Sequence, residues 1–170
     1  ETTAFLKSAT VGQIGGPFKI GNTYQLYKLS QSREARDSVK SSHILVAFQG
    51  SAGGTGIKRT KEEAKKVAEG ILAEVKANPA SFGEVASTKS DDKTASLQKG
   101  SIGWVGKNNQ LDQTFNGFIF TKPVGTVELL ETQFGFHIIK VDDVKNKTAY
   151  QIANIVKTIE PSKATTDKAF

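Results

Sequence analysis

The sequence predicts an α+β fold, in which helices pack against one antiparallel sheet. Three observations support this class. A buried strand pattern comes first, at 41–48; two capped helical patterns follow, at 60–78 and 81–90; and two strand patterns close the region, at 125–130 and 134–141. Strand and helix patterns that are segregated along the chain, instead of alternating regularly, favour helices on an antiparallel sheet over a parallel one.

The first strand pattern is the clearest of the three. After His43, residues 44–48 read Ile-Leu-Val-Ala-Phe and are apolar without interruption. A strand that is apolar at successive positions is expected to be buried on both faces. Residues 49–56 contain four glycines and predict a mobile loop.

Two capping boxes predict where the helices begin. Thr60 and Glu63 form the first, since the threonine oxygen can accept from the Glu63 amide while the glutamate reaches back. The run ends at Asn78-Pro79, and Ser81 with Glu84 forms a second box before a shorter helix. The apolar positions of the first helix recur at helical spacing: Ala64, Val67, Ala68, Ile71, Leu72 and Val75.

The remaining elements complete the order β-α-α-β-α-β-β. Residues 100–105 predict a turn with two glycines that leads into a short strand, and 111–120 predict a short apolar helix. Asp92 is expected to lie in a polar loop between the second helix and this short strand.

The sequence divides into three parts. We expect 37–146 to form the α+β domain, 147–170 to begin a following segment, and 1–36 to end a preceding domain, which is either of another kind or a degenerate copy of the same domain. The last possibility rests on an internal repeat, because the strand patterns of 11–29 echo those of 124–141. Two ordinary hairpins would explain the repeat equally well.

The flanking segments contain strand patterns of their own. A turn of two glycines and a proline separates the patterns at 11–14 and 23–29. Residues 30–40 are polar and predict a linker, whereas 149–159 alternate apolar and polar residues like a half-buried strand. A helix is expected to begin near Pro161.

Composition argues against nucleic-acid binding and against any site that depends on cysteine. The formal net charge is +6, but only three arginines are present and the lysines are interspersed with acids, which is typical of a solvated surface and not of a nucleic-acid interface. The chain has no cysteine, which excludes a disulfide, a thiolate metal site and a cysteine nucleophile.

The two histidines of the chain are the first candidate site. His43 and His137 lie in the first and last strand patterns of the predicted sheet, and those strands can be neighbours. Neutral imidazoles can share a hydrogen bond, and Asp92 is the acid best placed to fix their tautomers. A single strand histidine is more often a core residue. A metal site of these three residues is the other alternative, which we disfavour because no second shell is evident.

Five motifs in this order resemble the parvulin family of peptidyl-prolyl cis/trans isomerases. No one of them is decisive, but five in register between 38 and 145 are specific. They are Ser42-His43-Ile44-Leu45-Val46, the stretch Arg59 to Ala64, the stretch Phe82 to Ser87 with Ser90-Asp91-Asp92, Gly100 to Trp104, and Thr132 to Ile139.

The resemblance implies a role for each matching residue. His43 and His137 fall on the family's histidine pair, Asp92 on a position that is cysteine or aspartate, and Thr132 on a hydroxyl of the histidine network. We expect Phe115 to face out of the core, towards a substrate. The residues implied in the pocket for the proline ring are Ile102, Leu111, Phe115 and Phe134.

By the same resemblance, the chain catalyses rotation about X-Pro bonds without a covalent step, cofactor or metal. Its partners would be unfolded or extended polypeptides that contain proline. The whole sequence is similar to bacterial envelope proteins that combine parvulin domains with chaperone segments. This implies a periplasmic or cell-envelope location, assistance to secreted or outer-membrane proteins, and an intact protein whose membrane anchor, if any, lies outside this sequence.

Two departures from the family pattern affect these expectations. The segment 125–137 is one residue shorter than usual, which bears on the assignment of Thr132. The loop at 49–56 lacks the basic cluster of phosphate-directed parvulins, so no phosphoserine or phosphothreonine is expected before the proline.

A chaperone module that binds peptides with little or no isomerase activity is the alternative function. Degenerate parvulin domains can lose the residues of the site, so the presence of His43, Asp92 and His137 together favours activity. An exchange assay on a short X-Pro peptide distinguishes the two functions.

Overall fold

The computed structural model describes residues 1–160, so the helix expected near Pro161 lies outside the described residues. The chain divides into two compact units, one of residues 36–146 and one that combines 1–35 with the segment from 147 onward. None of the described helices is long and apolar enough to cross a membrane.

The strand order in the sheet of the larger unit is β3 (Ser101–Gly106), β2 (Thr23–Val46), β5 (Gly135–Thr158) and β4 (Val127–Thr132). Strands β2 and β5 each extend beyond this unit. The outer strands, β3 and β4, both pair antiparallel with their neighbours. The predicted α+β class with an antiparallel sheet is confirmed.

Helix α2 spans Lys61–Ala77 and begins as the sequence predicts. Thr60 Oγ1 accepts from the Glu63 amide at 3.2 Å, and a Glu63 carboxylate oxygen accepts from the Thr60 amide at 2.8 Å. The buried side of the helix packs on the sheet through Ala64, Ala68, Ile71 and Val75.

Helix α3, Phe82–Lys89, lacks the predicted capping box. Pro79 begins a single 3-10 turn, Pro79–Ser81, and the Ser81 hydroxyl donates to the Asn78 carbonyl at 2.7 Å instead of accepting from α3. The proline therefore tightens the chain before α3 and redirects the hydroxyl that was expected to cap it.

Two short helices carry residues of the site. Helix α4 spans Lys93–Leu97, where the sequence predicts only loop, and Asp92 is its N-cap. Helix α5 spans Gln113–Thr121, with Asp112 as its N-cap.

The core of the larger unit consists of two clusters. One contains Ile44 and Ile138 and packs under α2 and α3, while the other contains Val39 and Ile139 and packs under α5. Successive side chains of a strand point to opposite faces. Val39, Ser41 and His43 are alternate residues of β2, and His137 and Ile139 are alternate residues of β5. Both histidines therefore lie on the face of the sheet that α5 covers.

The smaller unit contains α1, Thr2–Ser8, and β1, Ile14–Ile20, which pairs antiparallel with the first part of β2. Two local predictions are wrong here. The turn expected at 15–17 lies within β1, and the linker expected at 30–40 lies within β2. Strand pairing satisfies backbone groups whatever the side chains, so an exposed polar stretch can be a strand when a partner is available. The strand predicted at 149–159 is present as the end of β5.

The glycine-rich segment 49–56 has backbone contacts with the turn between β4 and β5. The amide of Ala52 donates to the Gln133 carbonyl at 2.9 Å. A Cβ atom added to Gly53 would lie 2.7 Å from the Phe134 carbonyl oxygen, which is closer than such atoms approach in proteins. A glycine at this position therefore allows the segment to lie against that turn.

Candidate active site

The two histidine rings lie side by side on neighbouring strands. The Nδ1 atoms of His43 and His137 are 3.1 Å apart, and the ring planes differ by only 16°. Both residues are buried, with 8% and 5% of their surfaces exposed. The expectation that these rings lie within hydrogen-bond reach of each other is confirmed.

Each ring has a second polar partner at its other nitrogen. His43 Nε2 lies 3.1 Å from Asp92 Oδ2, and His137 Nε2 lies 2.9 Å from Thr132 Oγ1. Thr132 Oγ1 in turn accepts from the Phe134 amide at 3.1 Å. Although the segment before His137 is one residue short of the family pattern, Thr132 is in contact with the histidine pair.

The donors and acceptors allow one assignment when both rings are neutral and Asp92 is ionised. The carboxylate only accepts, so His43 carries its proton on Nε2 and accepts at Nδ1. His137 must then donate from Nδ1 and accept at Nε2, where the Thr132 hydroxyl donates. The result is one directed chain of hydrogen bonds from the Phe134 amide to the Asp92 carboxylate.

Burial keeps both imidazoles neutral. It lowers the pKa of His43, and the nearby Asp92 carboxylate opposes this only in part. The pKa of His137 falls to about 4, first because of burial and then because of its neighbour His43, while Asp112 and Asp92 act in the opposite direction. Neutral rings are the state that the directed chain requires.

Asp92 is held by the start of α4 as well as by His43. Its Oδ1 atom accepts from the amides of Thr94 and Ala95 at 2.9 and 3.1 Å, while Oδ2 faces His43. Both oxygens therefore have donors. The carboxylate is arranged as a fixed acceptor and not as a free nucleophile.

The residue before Asp92 fastens this segment to β2. Asp91 accepts from the Ala47 amide at 2.9 Å and forms a two-point contact with the Arg59 guanidinium, at 3.0 and 3.3 Å. Its own amide donates to the Leu45 carbonyl at 2.8 Å. These contacts fix the backbone that presents Asp92 to the histidines.

A cavity of about 390 Å³ lies above the histidine pair. Its surface is mainly apolar. All four residues predicted for the proline pocket line it, together with both histidines and Asp92: Ile102, Leu111, Phe115 and Phe134.

A β-bulge brings Ile102 to the cavity. Ser41 pairs with Gly103 and the next residue, Ser42, pairs with Ser101, so Ile102 is an extra residue on β3. Gly103 has a φ of +78°, a conformation that favours glycine. Bulges of this kind redirect a side chain beside a site.

The expectation that Phe115 faces out of the core is wrong. Only 3% of its surface is exposed, and it belongs to the core cluster under α5. Its ring stands edge-on to both histidines, with centroid distances of 5.8 Å to His43 and 5.5 Å to His137. The side of α5 that packs into the core is also the side that faces the histidines. The Phe115 ring therefore belongs both to the core and to the site.

Asp112, which no sequence pattern marked as a site residue, lines the cavity beside Leu111. A local signal was present, since Asp-Gln-Thr-Phe directly precedes an apolar helical pattern and aspartate is a preferred N-cap. That signal predicts a helix start and carries no information about the cavity, which is formed by distant segments.

The ring nitrogens leave no free lone pair for a metal ion. Each of the four makes a hydrogen bond within the chain described above. Within residues 1–160, no group of three or more histidine, cysteine, aspartate or glutamate side chains could hold a metal.

A buried histidine pair under an apolar cavity, on an antiparallel sheet with helices, defines a parvulin-type domain. Residues 24–145 match the family model described as the PPIC-type PPIASE domain. The match covers well over half of the chain, which therefore belongs to this family of peptidyl-prolyl isomerase domains.

Known proteins with similar sequences or structures agree with this assignment. The foldase protein PrsA of Staphylococcus aureus is 38% identical over 121 residues, which are 68% of this chain and 36% of the relative. The peptidyl-prolyl isomerase ESS1 of Candida albicans superimposes with a TM-score of 0.58 at 25% identity, over 63% of each chain.

A second similar structure comes from Campylobacter jejuni, with a TM-score of 0.52 at 26% identity over 69% of this chain and 42% of that one. It is described in a study of PEB4 and the periplasmic protein Cj1289 as SurA-like chaperones. The part of this chain that matches the Staphylococcus aureus foldase spans little more than a third of the length of that relative.

Proposed function

We propose that this chain catalyses cis/trans isomerisation of X-Pro bonds in extended polypeptides, with His43, Asp92, His137 and Thr132 as the catalytic network. The observation that carries the proposal is the directed hydrogen-bond chain beneath a mainly apolar cavity. The expected pocket residues line that cavity.

The reaction requires rotation of an amide and no bond to the enzyme. The barrier of about 18–20 kcal/mol arises from amide resonance, and an X-Pro bond crosses it unaided in tens to hundreds of seconds. In the twisted state the amide loses its resonance and becomes less polar. A dry apolar cavity that binds the proline ring stabilises this state relative to the planar one.

The proline ring would contact Leu111, Phe134 and the edge of Phe115 while the preceding carbonyl turns above the histidines. A volume of about 390 Å³ is within the range of small-ligand sites, about 300–1,000 Å³. The histidine chain holds the cavity floor in one arrangement, since each ring is oriented from both sides.

The test is NMR exchange spectroscopy on a short Ala-Xaa-Pro-Phe peptide, with and without catalytic amounts of the protein. We expect cis/trans exchange to accelerate from tens of seconds to less than a second. His137→Ala should abolish the acceleration, whereas Asp143→Asn should not, because Asp143 is exposed and does not line the cavity. No acceleration by the folded wild-type protein would contradict the proposal.

We further propose that the intact protein assists the folding of secreted or outer-membrane proteins in a bacterial cell envelope. The foldase and SurA-like relatives support this. Depletion of the intact protein should lower the yield of folded secreted proteins, and unchanged yields would contradict it.

Peptide binding without catalysis is a second candidate, favoured by the smaller unit. Among residues 1–35 and 147–160 of that unit, nine large apolar side chains are exposed, with Val11, Ile14 and Ile155 each above 60%. Such surface is typical of a binding region for other chains. If an inactive His137→Ala variant suppresses aggregation of an unfolded client as well as the wild type does, binding is independent of the isomerase site.

A further inference from the structure

The charge of the cavity is opposite to that of the whole chain. The formal net charge is +6, yet the ionic side chains that line the cavity within the described residues are Asp92 and Asp112. No lysine or arginine lines it, and both histidines are neutral there. Lys93 and Lys99, next to lining residues in sequence, are exposed. A peptide in this cavity therefore meets negative charge.

The two carboxylates differ in how many of their oxygen atoms have a hydrogen-bond partner within the protein. Asp92 uses both oxygens, one on α4 and one on His43. Asp112 uses Oδ1 to cap α5, accepting from Thr114 and Phe115 at 2.9 and 3.2 Å. Its Oδ2 atom makes no hydrogen bond or ion pair with any residue of 1–160. Asp112 is half-buried and lines the cavity, so this oxygen is available to a substrate.

Asn109 fixes the segment that presents Asp112. Its side-chain oxygen accepts from the Leu111 amide at 2.8 Å, and its amide group donates to the Gly106 carbonyl and to Asn116 at 2.6 and 2.8 Å. Asn116 lies in the first turns of α5. The carboxylate is thus held between the loop and the helix instead of moving on a free side chain.

We propose that Asp112 makes the site selective for X-Pro bonds with lysine or arginine next to the proline, and against acidic residues there. The proposal rests on the isomerase function proposed above and specifies its substrate class. A fixed, half-buried carboxylate attracts a substrate cation more strongly than a fully solvated one, because less solvent screens it. It repels a glutamate or a phosphate by the same reasoning.

The experiment compares kcat/KM for two peptide series, one that varies the residue before proline and one that varies the residue after it. Each series contains lysine, alanine and glutamate at the varied position. We expect the wild type to prefer lysine over glutamate by about 3- to 10-fold in at least one series, and the preference to shrink at 1 M salt, where screening is strong.

The variant Asp112→Asn removes the charge and keeps an N-cap residue, so α5 should remain folded. Its preference for lysine over glutamate should fall to near unity, and this ratio of two kcat/KM values is independent of any change in turnover that is common to all peptides. Asp143→Asn, which removes an exposed carboxylate away from the cavity, should keep the preference.

The outcomes separate this inference from the function on which it rests. Turnover of all peptides without a charge preference, or a preference that Asp112→Asn leaves unchanged, overturns the inference and leaves the isomerase intact. If no peptide is turned over, the isomerase proposal fails, and dissociation constants of the lysine and glutamate peptides from NMR titration decide the charge preference. Equal affinities would overturn it.

Discussion

His43 Nδ1 and His137 Nδ1 face each other at 3.1 Å, so one of the two rings must donate to the other. The partners at the far nitrogens decide which one. Asp92 can only accept from His43, and the Thr132 hydroxyl can donate to His137 while it accepts from the Phe134 amide. The hydrogen bond between the two rings therefore runs from His137 to His43, and Asp92 and Thr132 both impose this direction.

Thr132→Val should lower kcat/KM by about 5- to 50-fold. The substitution preserves shape but removes the hydroxyl, which leaves His137 Nε2 and the Phe134 amide without this partner. The loss at the buried Nε2 atom alone costs about 1–3 kcal/mol. Peptide exchange rates measure the effect. Thr132→Ser retains the hydroxyl and should retain most of the activity; equal activity of all three proteins would show that the hydroxyl is dispensable.

The pH dependence of activity should reflect the lowered histidine pKa values. His137 has a pKa of about 4, and burial also lowers the pKa of His43 below the ordinary 6.5. We expect kcat/KM to be nearly constant from pH 8 down to about 6.5 and to decline only below it. A midpoint near 6.5 would mean that a ring with an ordinary pKa controls the reaction.

The free energy of unfolding should also depend on pH through the lowered histidine pKa values, and it should decrease as the pH falls. A histidine whose pKa is lower in the folded state than the ordinary 6.5 stabilises the fold fully above pH 6.5, and this stability is lost as the pH falls towards the folded value. For His137 that window extends to about pH 4, at up to about 1.4 kcal/mol per pH unit. Urea unfolding of the wild type and of His137→Gln should give a shallower pH dependence for the variant in this window.

Phe115 should be needed for both stability and activity. Because its ring is buried, Phe115→Ala should cost about 3–5 kcal/mol of unfolding free energy, similar to the loss from Ile71→Ala on α2. The milder pair Phe115→Leu and Ile71→Val separates the two roles. Assayed where both are folded, only Phe115→Leu should lose kcat/KM, since only that ring contacts the histidines; equal losses would place Phe115 in the core alone.

Phosphoserine before proline should not improve turnover over glutamate or alanine. No lysine or arginine lines the cavity within the described residues, so a dianion finds no partner there. Exchange rates for the three peptides test this. A gain of more than about tenfold, or about 1.4 kcal/mol in transition-state binding, would refute it.

The local patterns of the sequence predicted much of the fold because local interactions determine them. The Thr60 capping box and the buried strand after His43 depend on residues within a few positions of each other, and both are present as predicted. The strand at 30–40 was missed because its pairing partners are distant in sequence, and because residues 30–34 are exposed, which leaves Val39 as its one fully buried apolar residue.

The site was predictable for a different reason. Only two histidines were available, both in strand patterns that can be neighbours, so their proximity could be predicted from the residues themselves. The assignments of Thr132 and of the pocket residues depended on the resemblance to the parvulin family. The burial of Phe115 and the position of Asp112 depend on how α5 lies across the sheet, and no spacing within 111–120 expresses that angle.

Imidazole tautomers measured by long-range ¹H–¹⁵N NMR spectroscopy at pH 7 test the central claim most directly. The directed chain predicts that His43 carries its proton on Nε2 and His137 on Nδ1, with both rings neutral. The spectra of Asp92→Ala should show the loss of this preference at His43. A charged ring at pH 7, or both protons on Nε2, would contradict the hydrogen-bond chain on which the proposed catalysis rests.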